Sequence, residues 1–346
     1  MDRATRSSSV GNQTMDTSDL SSQSRRAGCL ALWLCLLVVA GCREPKGNLE
    51  IATVVKVGGI PWFNRMEEGV RQAAEELAVD AYLVGPTRAD EAQQVRMVED
   101  LISKGVDAIC VVPNDSRSLE PVFAKAQAAG IRIITHESPQ QRNHDFNIEA
   151  INNVEFARYQ VDKLVELVGA EAEYAIFVGS LTAPTHNVWA DEAEKHARQT
   201  HPQLKLVTQR IPCAEEIDLA KQKTLELIRA YPRLKGIIAF GSLGPPGAAQ
   251  AIQEKGLQGK IAVVGTVIPS QAARYLQQGS LQHGALWDPK PVGFAMVYVA
   301  KALLDGQTIV DGMVVPGLGP VHVQGKNIEL NGMLKITKDN ADKLGF

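Results

Sequence analysis

Trp287 and Asp288 stand side by side where an apolar strand is predicted to end and a helix to begin, within the stretch QHGALWDPKPVG (282–293). An indole is costly to leave in water, and a carboxylate needs water or a hydrogen-bond donor. A ligand with an apolar face and a hydroxylated edge would satisfy both, because its ring can stack on the indole while the carboxylate accepts hydroxyl hydrogens. The alternative is a buried structural role for Trp287.

Other aromatic and polar side chains also follow predicted strands. Trp62 and Phe63 come after the first strand, and as sequence neighbours they cannot share one helical face. We expect at least one of them to point into a cleft, the alternative being a plug that packs on the core. Asp115 follows the third strand, where it either caps the next helix or contacts a ligand.

Signals of catalysis and of nucleic-acid binding are missing from the sequence. It contains no phosphate-binding loop, no GxSxG, no HExxH and no clustered Cys/His ligands, and its 7 histidines are scattered. The formal net charge is −3, with no long basic run. We therefore expect no enzyme activity, no cofactor or metal, and no nucleic-acid partner.

The pattern from residue 49 onward predicts the fold class. Short β-branched runs alternate with stretches of helical periodicity, as in LEIATVVKV (49–57) followed by NRMEEGVRQAAEELAV (64–79). The same rhythm restarts after INN (151–153), and the second half includes a predicted strand LKLVTQRI (204–211). Apolar strands separated by single helices indicate parallel sheets covered on both faces, so we predict an α/β protein with two doubly wound lobes. Ligands of such sheets bind beyond the carboxyl ends of the strands, which places the expected site in a cleft between the lobes.

The N-terminus carries an export signal. In RRAGCLALWLCLLVVAGC (25–42), two arginines precede an apolar run that is too short for a comfortable membrane span and ends at small residues. The tetrapeptide VAGC (39–42) resembles a bacterial lipobox, in which Cys42 becomes the lipid-modified first residue. We expect a signal peptide with lipobox at 1–42, a linker at 43–48, and a lipoprotein anchored in the periplasm or cell envelope. A plain signal peptide is the alternative, and either Met1 or Met15 is the start.

The folded body keeps two cysteines, Cys110 and Cys213. Cys110 lies within the apolar run DAICVVP, which indicates a buried packing residue. Whether the two cysteines form a disulfide is left open by the sequence.

The lipobox, the two lobes and several ordered motifs together resemble the type I periplasmic sugar-binding proteins of ABC importers. The resemblance spans roughly 49–310 and includes VVPNDSRSLEPVFAKAQAAGIRIITHE and VVGTVIPSQAARYLQQGSLQHGALWDP. The opening VVKVGGIPWFNRMEEG and the closing LWDP are most similar to the branch that contains binders of rhamnose and of the quorum signal autoinducer-2. The resemblance implies the periplasmic-binding-protein-like I fold, in which three hinge strands join two lobes that close over one sugar.

The same resemblance implies the domain boundaries. The expected hinges lie near 150–153, 286–290 and 306–310. The expected N-terminal lobe comprises 49–152 and 288–308, and the expected C-terminal lobe comprises 153–287 and 309–346.

Several ligand contacts are also implied by the resemblance. Lys56, a charge in an otherwise apolar strand, matches a ligand-contacting lysine of the autoinducer-2 branch, with an ordinary ion pair as the alternative. Glu137, next to His136, stands where relatives carry an aspartate, and His186 stands where the branch has glutamine. Of that branch's usual contacts only Lys56 is kept in kind, which argues against the quorum signal. The complete set of predicted ligand contacts is Lys56, Trp62, Phe63, Asp115, His136, Glu137, Thr185, His186, Asn187, Ser242, Trp287 and Asp288.

The predicted function is that of a monomeric, lipid-anchored solute-binding protein that captures a monosaccharide, or a related polyhydroxylated ligand, and delivers it to an ABC permease. A ligand-sensing receptor for a membrane kinase or chemoreceptor is the alternative with the same fold. A regulator of the lactose-repressor family would need a helix-turn-helix before residue 49, where the lipobox lies. The sequence does not name the sugar, because one hydroxyl's orientation can decide affinity.

Overall fold

Two mostly parallel β-sheets, each covered by helices, form the frame of the molecule. The computed structural model describes residues 47–316 and 318–346. The strands are β1 Glu50–Val54, β2 Asp80–Val84, β3 Ala108–Val111, β4 Arg132–His136, β5 Phe146–Glu149, β6 Glu173–Val178, β7 Lys205–Leu206, β8 Ile211–Pro212, β9 Leu234–Ala239, β10 Ala262–Gly265, β11 His283–Leu286, β12 Val314–Val315, β13 Gly319–Pro320, β14 His322–Gln324, β15 Asn327–Glu329 and β16 Leu334–Ile336. The helices are α1 Pro61–Leu77, α2 Glu91–Lys104, α3 Ser116–Ala128, α4 Asn153–Val168, α5 Pro184–Thr200, α6 Ile217–Ala230, α7 Gly244–Glu254, α8 Pro269–Gln277 and α9 Pro289–Leu304, with a 3-10 turn at Ala341–Lys343.

The first sheet has the order β14-β15-β5-β4-β3-β1-β2, and all its pairs except β14–β15 are parallel. Helices α2 and α3 cover one face, and α1 and α9 pack together on the other. The α1–α9 contact requires glycine, because a Cβ on Gly69 would lie 1.8 Å from the Lys290 carbonyl oxygen and one on Gly293 would lie 2.2 Å from that of Met66. This close crossing fixes the start of α1, which carries two of the predicted ligand contacts.

The second sheet has the order β16-β11-β10-β9-β6-β7, with β8 also paired to β6 and only β16 antiparallel. Together the two sheets confirm the predicted α/β class. The single strand predicted at 204–211 is wrong in detail, since it is divided into β7 and β8. Both β7 and β8 pair with β6. From the first pairing to the second, the four residues 174–177 of β6 lie opposite the six residues 206–211, so two extra residues bulge out at the sheet edge.

Within the described residues the chain passes three times between the sheets, at 150–152, at 287–288 and at 330–333. In the third passage the Leu330 N–H donates to the Glu149 carbonyl (2.7 Å) and the Gly332 N–H to that of Ala150 (3.0 Å), so two of the connections run hydrogen-bonded side by side. The expected third hinge near 306–310 is therefore wrong. Placing all of 309–346 in the second lobe is also wrong for β14 and β15, which extend the first sheet. Three-residue strands carry too little periodicity to reveal which sheet they join.

Residues Asn48–Phe346 form one compact unit by themselves. The predicted signal peptide at 1–42, its Cys42, and residues 43–46 of the predicted linker lie outside the described residues. Within the part described, no helix is long and apolar enough to cross a membrane. Cys110 and Cys213 are both free thiols, and Cys110 is fully buried as the sequence predicts.

Candidate functional site

A cavity lies where the carboxyl ends of the strands of both sheets face each other. The side chains that line it come from the loop or the helix start that follows β1, β4, β6, β8, β9, β10 and β11, as the doubly wound topology requires. Its volume is about 20 Å³, enough for about one water molecule, so the cleft is closed in this structure. The lining residues are Lys56, Trp62, Phe63, Glu137, His186, Trp189, Glu215, Gly241, Ser242, Thr266 and Trp287.

Trp287 is the centre of an aromatic cluster around the cavity. Its ring makes edge contacts with Trp62 (5.0 Å between centroids, 89°) and Trp189 (5.7 Å, 64°), and Phe156 lies behind at 6.2 Å. The side chain is buried, yet it also lines the cavity. Trp287 therefore packs the junction of the lobes and also presents its indole to the cleft, while its stacking on a ligand stays a prediction.

A buried ion pair between Lys56 and Glu137 lines the cavity. Lys56 Nζ donates to Glu137 Oε2, and both residues are at most 3% exposed. Burial alone would raise the pKa of Glu137, but the charge of Lys56, joined at low pH by those of protonated His136 and His186, outweighs it and lowers that pKa to about 2. Glu137 also has φ of 56°, a left-handed backbone that costs energy for a non-glycine residue and is typical of functional sites.

His186 brings an imidazole of the second lobe against this pair. Burial and the neighbouring Lys56 charge lower the pKa of His186 to about 3, so the ring is neutral at physiological pH. Its Nδ1 accepts the Gly179 N–H (3.0 Å), and its Nε2 lies 3.3 Å from Lys56 Nζ. A neutral imidazole has a single acceptor nitrogen, so these two contacts cannot both be hydrogen bonds. With Nδ1 engaged, the hydrogen is on Nε2 and points into the cavity.

Glu215 is a lining residue that the sequence reasoning missed. Its Oε1 lies 3.8 Å from His186 Nε2, which is too long for a hydrogen bond, and its side chain is 9% exposed. Among the described residues its carboxyl group accepts no hydrogen bond. Burial raises the pKa of Glu215 to about 7; the Lys56 charge opposes this rise, and the Glu137 charge adds to it. The rule that ligands bind beyond the carboxyl ends of parallel strands, applied to AEE (214–216) after β8, would have found Glu215.

Two more polar atoms at the cavity lack a partner. Trp287 Nε1 and Thr266 Oγ1 are buried and make no hydrogen bond to any described residue. Leaving a buried polar group unpaired costs about 1–3 kcal/mol, and native proteins leave few of them. Donors and acceptors of this kind around one cavity are suited to the hydroxyl groups of a bound ligand.

Asp288 does not line the cavity, which corrects its prediction as a ligand contact. Its Oδ1 accepts from Arg65 Nε (2.9 Å) and from the Lys290 backbone N–H (3.0 Å), while its Oδ2 accepts from Arg65 Nη2 (2.7 Å). The carboxylate therefore caps α9 and ties that helix to α1 at a passage between the lobes. Three of its roughly four acceptor sites are taken up by the protein.

Asp115 and Asn187 are also engaged elsewhere, which corrects two further predictions. Asp115 caps α3 by accepting the N–H groups of Arg117 (2.7 Å) and Ser118 (3.3 Å), the capping role that the sequence left open. Asn187 donates to two carbonyls of its own loop, those of Ser180 (3.0 Å) and Ala183 (2.7 Å). Neither side chain lines the cavity.

His136 and Thr185 lie behind the lining residues instead of among them, so their prediction as contacts is corrected too. His136 Nδ1 donates to the Ile148 carbonyl (2.7 Å), and its ring makes an edge contact with Trp287. Thr185 is fully buried at the start of α5. His136 thereby supports the indole of Trp287, which lines the cavity. The predicted residues that do line it are Lys56, Trp62, Phe63, Glu137, His186, Ser242 and Trp287.

A hydrogen-bond chain links the cavity to the first passage between the lobes. Trp189 Nε1 donates to Asn153 Oδ1 (2.7 Å), and Asn153 Nδ2 donates to Glu149 Oε2 (3.0 Å). The other oxygen of Glu149 accepts from Asn147 Nδ2 (2.7 Å), and both residues belong to β5 of the first sheet. A lining indole of the second lobe is thereby fixed to the strand that leads out of the first.

Comparison with known proteins finds matches over most of the described chain. The family model of the periplasmic binding protein domain matches residues 51–308. The chain is 25% identical over 283 residues to the D-allose-binding periplasmic protein of Escherichia coli, covering 77% of this chain and 86% of that relative. It is 22% identical over 299 residues to the ribose import binding protein RbsB of Bacillus subtilis, covering 82% and 95%.

Two solved structures are similar over nearly the whole described chain. An ABC transporter solute-binding protein from Clostridium phytofermentas with bound L-rhamnose has a TM-score of 0.79 at 25% identity, over 85% of this chain and 97% of that one. LsrB from Clostridium saccharobutylicum in complex with AI-2 has a TM-score of 0.81 at 20% identity, over 86% and 100%, and this likeness concerns the fold alone.

Proposed function

Because this chain belongs to the periplasmic binding protein family, among the type I sugar-binding proteins of ABC transporters, we propose that it captures a monosaccharide, or a related small polyhydroxylated ligand, in the cavity between its two sheets. We propose that it does so in the periplasm, as a monomer anchored by lipid on Cys42, and hands the ligand to an ABC permease. Relatives named for D-allose and ribose support the ligand class.

The observation that carries the proposal is the composition of the cavity wall. Indole rings of Trp62, Trp189 and Trp287 supply flat apolar surface, and the charged or unpartnered polar groups stand between them. A pyranose or furanose ring has C–H faces that suit the indoles and a rim of hydroxyls that suits the polar groups.

Binding in a closed cavity of this size requires the lobes to separate. We propose that they do so at the three passages, with an open form that admits the sugar and a closed form that the sugar stabilises. Small-angle scattering should show a smaller radius of gyration at saturation. An unchanged profile at proven saturation would count against closure.

The lipid anchor has its own test, independent of the sugar. Cys42→Ser should leave an unprocessed precursor without lipid label, because the thiol is the acceptor of the diacylglyceryl group. Normal maturation of that variant, read by mass spectrometry, would contradict the lipoprotein proposal.

The ligand is best identified by a thermal-shift screen of residues 43–346, followed by calorimetry on each hit. We expect a sugar of the panel D-allose, D-ribose and L-rhamnose to raise the melting temperature saturably, and AI-2 to fail. Glu137→Gln should abolish the shift, whereas the exposed Glu216→Gln should keep it. If no monosaccharide binds, or if the hit binds Glu137→Gln unchanged, the proposed site is wrong.

A further inference from the structure

Asp162, His196 and His201 form a cluster on the outer part of the second lobe. Asp162 lies on α4, His196 lies on α5, and His201 is the C-cap residue directly after α5. Asp162 Oδ1 lies 2.7 Å from His196 Nε2 and 3.1 Å from His201 Nε2. Among the described residues this is the group whose carboxylate and imidazole atoms all lie within 4.8 Å of one another.

This cluster is separate from the sugar cavity. Helices α4 and α5 run parallel to each other. Trp189 of α5 contacts Asn153 of α4, and His196, seven residues further along α5, contacts Asp162 of α4. At 1.5 Å of rise per residue, seven residues place His196 roughly 10 Å further along α5 than the cavity-lining Trp189. A ligand at the cluster would therefore leave the cavity side chains untouched.

The donor atoms suit a transition-metal ion. Zinc binds imidazole nitrogen and carboxylate oxygen at about 2.0–2.2 Å, so neighbouring ligand atoms of a tetrahedral site lie about 3.3 Å apart. The observed N–O distances of 2.7 and 3.1 Å are within about 0.6 Å of that spacing. Two imidazoles exclude Mg²⁺ and Ca²⁺, which prefer oxygen ligands, and the absence of a thiolate from the trio disfavours Cu(I).

We propose that Asp162, His196 and His201 bind a divalent ion of the Zn²⁺ class, which replaces the hydrogen bonds to Asp162 Oδ1 and clamps α4 to the end of α5. The side chains are 49%, 14% and 23% exposed in that order, so water can complete the coordination. Sequence patterns do not reveal this site, because Asp162 and His196 lie on different helices.

The test is calorimetric titration of Zn²⁺ into residues 43–346, prepared without a polyhistidine tag and stripped with a chelator. We expect one ion per chain, and at least a 10-fold loss of affinity in each of Asp162→Asn, His196→Gln and His201→Gln, since even changes to residues that only hydrogen-bond to metal ligands cost that much. His322→Gln is the matched control. It removes an exposed histidine that pairs with a single aspartate, Asp311, at 2.8 Å, and it should leave zinc binding unchanged.

Two further readouts separate this site from the sugar site and from misfolding. Zinc should raise the melting temperature of the wild type but not that of the double variant His196→Gln/His201→Gln, whose unliganded melting curve reports its folding. Glu215→Gln should keep the zinc affinity, and the zinc-site variants should keep the sugar affinity. Absence of binding to the wild type at millimolar Zn²⁺, or unchanged binding in both histidine variants, would overturn the proposal.

Discussion

Replacing Glu215 by glutamine should make the protein more stable at alkaline pH and leave it nearly unchanged at acid pH. The side chain is nearly buried, borders Glu137, and accepts no hydrogen bond from a described residue. Ionisation of Glu215 in the folded protein therefore lowers the free energy of unfolding. Glutamine keeps the size and shape of the side chain and removes the charge.

The magnitude follows from the pKa of Glu215 in the two states. That pKa is about 7 in the folded protein against an ordinary value of 4.5, so between these two values the folded state binds more protons than the unfolded state. Stability from this group is fully present below pH 4.5 and is lost as pH rises through 7. A shift of about 2.5 pKa units corresponds to roughly 3 kcal/mol, at 1.36 kcal/mol per unit.

The assay is urea unfolding of residues 43–346 at pH 4.5 and pH 8, without sugar. Relative to the wild type, Glu215→Gln should gain about 3 kcal/mol of unfolding free energy between the two pH values. Any pH-independent effect of the amide cancels in this difference. Glu216→Gln, at the exposed neighbouring position, should gain nothing. If the unfolding free energies of both variants change with pH as that of the wild type does, burial does not raise the pKa of Glu215, and our description of the cavity electrostatics is wrong.

Three other substitutions test the remaining parts of the site. Glu137→Gln should cost about 3–5 kcal/mol of unfolding free energy at neutral pH, because it leaves the Lys56 ammonium buried and unpaired. That cost should shrink between pH 4.5 and 2, where the wild type loses the contribution of a carboxylate whose folded pKa is depressed to about 2. Asp288→Asn should lower the unfolding free energy by about 1 kcal/mol through its partly exposed Arg65 contact and change sugar affinity by less than about twofold; a tenfold loss of affinity with unchanged stability would restore it as a ligand contact. Trp287→Phe keeps an aromatic ring and removes the unpartnered N–H, so calorimetry should show sugar affinity reduced by about 2- to 12-fold, and unchanged affinity would exclude that N–H as a ligand donor.

The fold was predictable because parallel strands buried on both faces are recognisable as apolar runs at a regular spacing. β1, β3 and β4 are apolar because helices cover both sides of them, and the pattern holds without knowledge of their partners. β14 and β15 form a short local hairpin, and β15 joins the first sheet beside β5, a strand far away in the sequence. Their position depends on tertiary contacts that local periodicity does not encode.

The site was predictable to the extent that position after a strand decides it. The family resemblance implied Lys56, Glu137 and His186, and this rule, applied without exception, also finds Glu215. It does not distinguish a side chain that faces the cleft from one that caps a helix. Asp288 shows the difficulty, because its capture by Arg65 depends on the α1–α9 packing, which brings together residues 223 positions apart.

The hydrogen-bonding requirements of His186 give a physical reason why closure should depend on the ligand. With Nδ1 accepting the Gly179 N–H, the Nε2–H of the second lobe faces the Lys56 ammonium of the first at 3.3 Å, and two donors repel at that distance. Glu137 satisfies Lys56, but Glu215, at 3.8 Å, is too far to accept from the imidazole. A sugar hydroxyl oxygen between the lobes can accept from His186 while its hydrogen is donated to Glu215. Closure without a ligand then leaves a buried donor and a buried acceptor unpaired, at about 1–3 kcal/mol each, and a bound sugar removes both costs at once. That difference between the liganded and unliganded closed forms is what a two-state binding protein needs to close on its ligand and remain open without it.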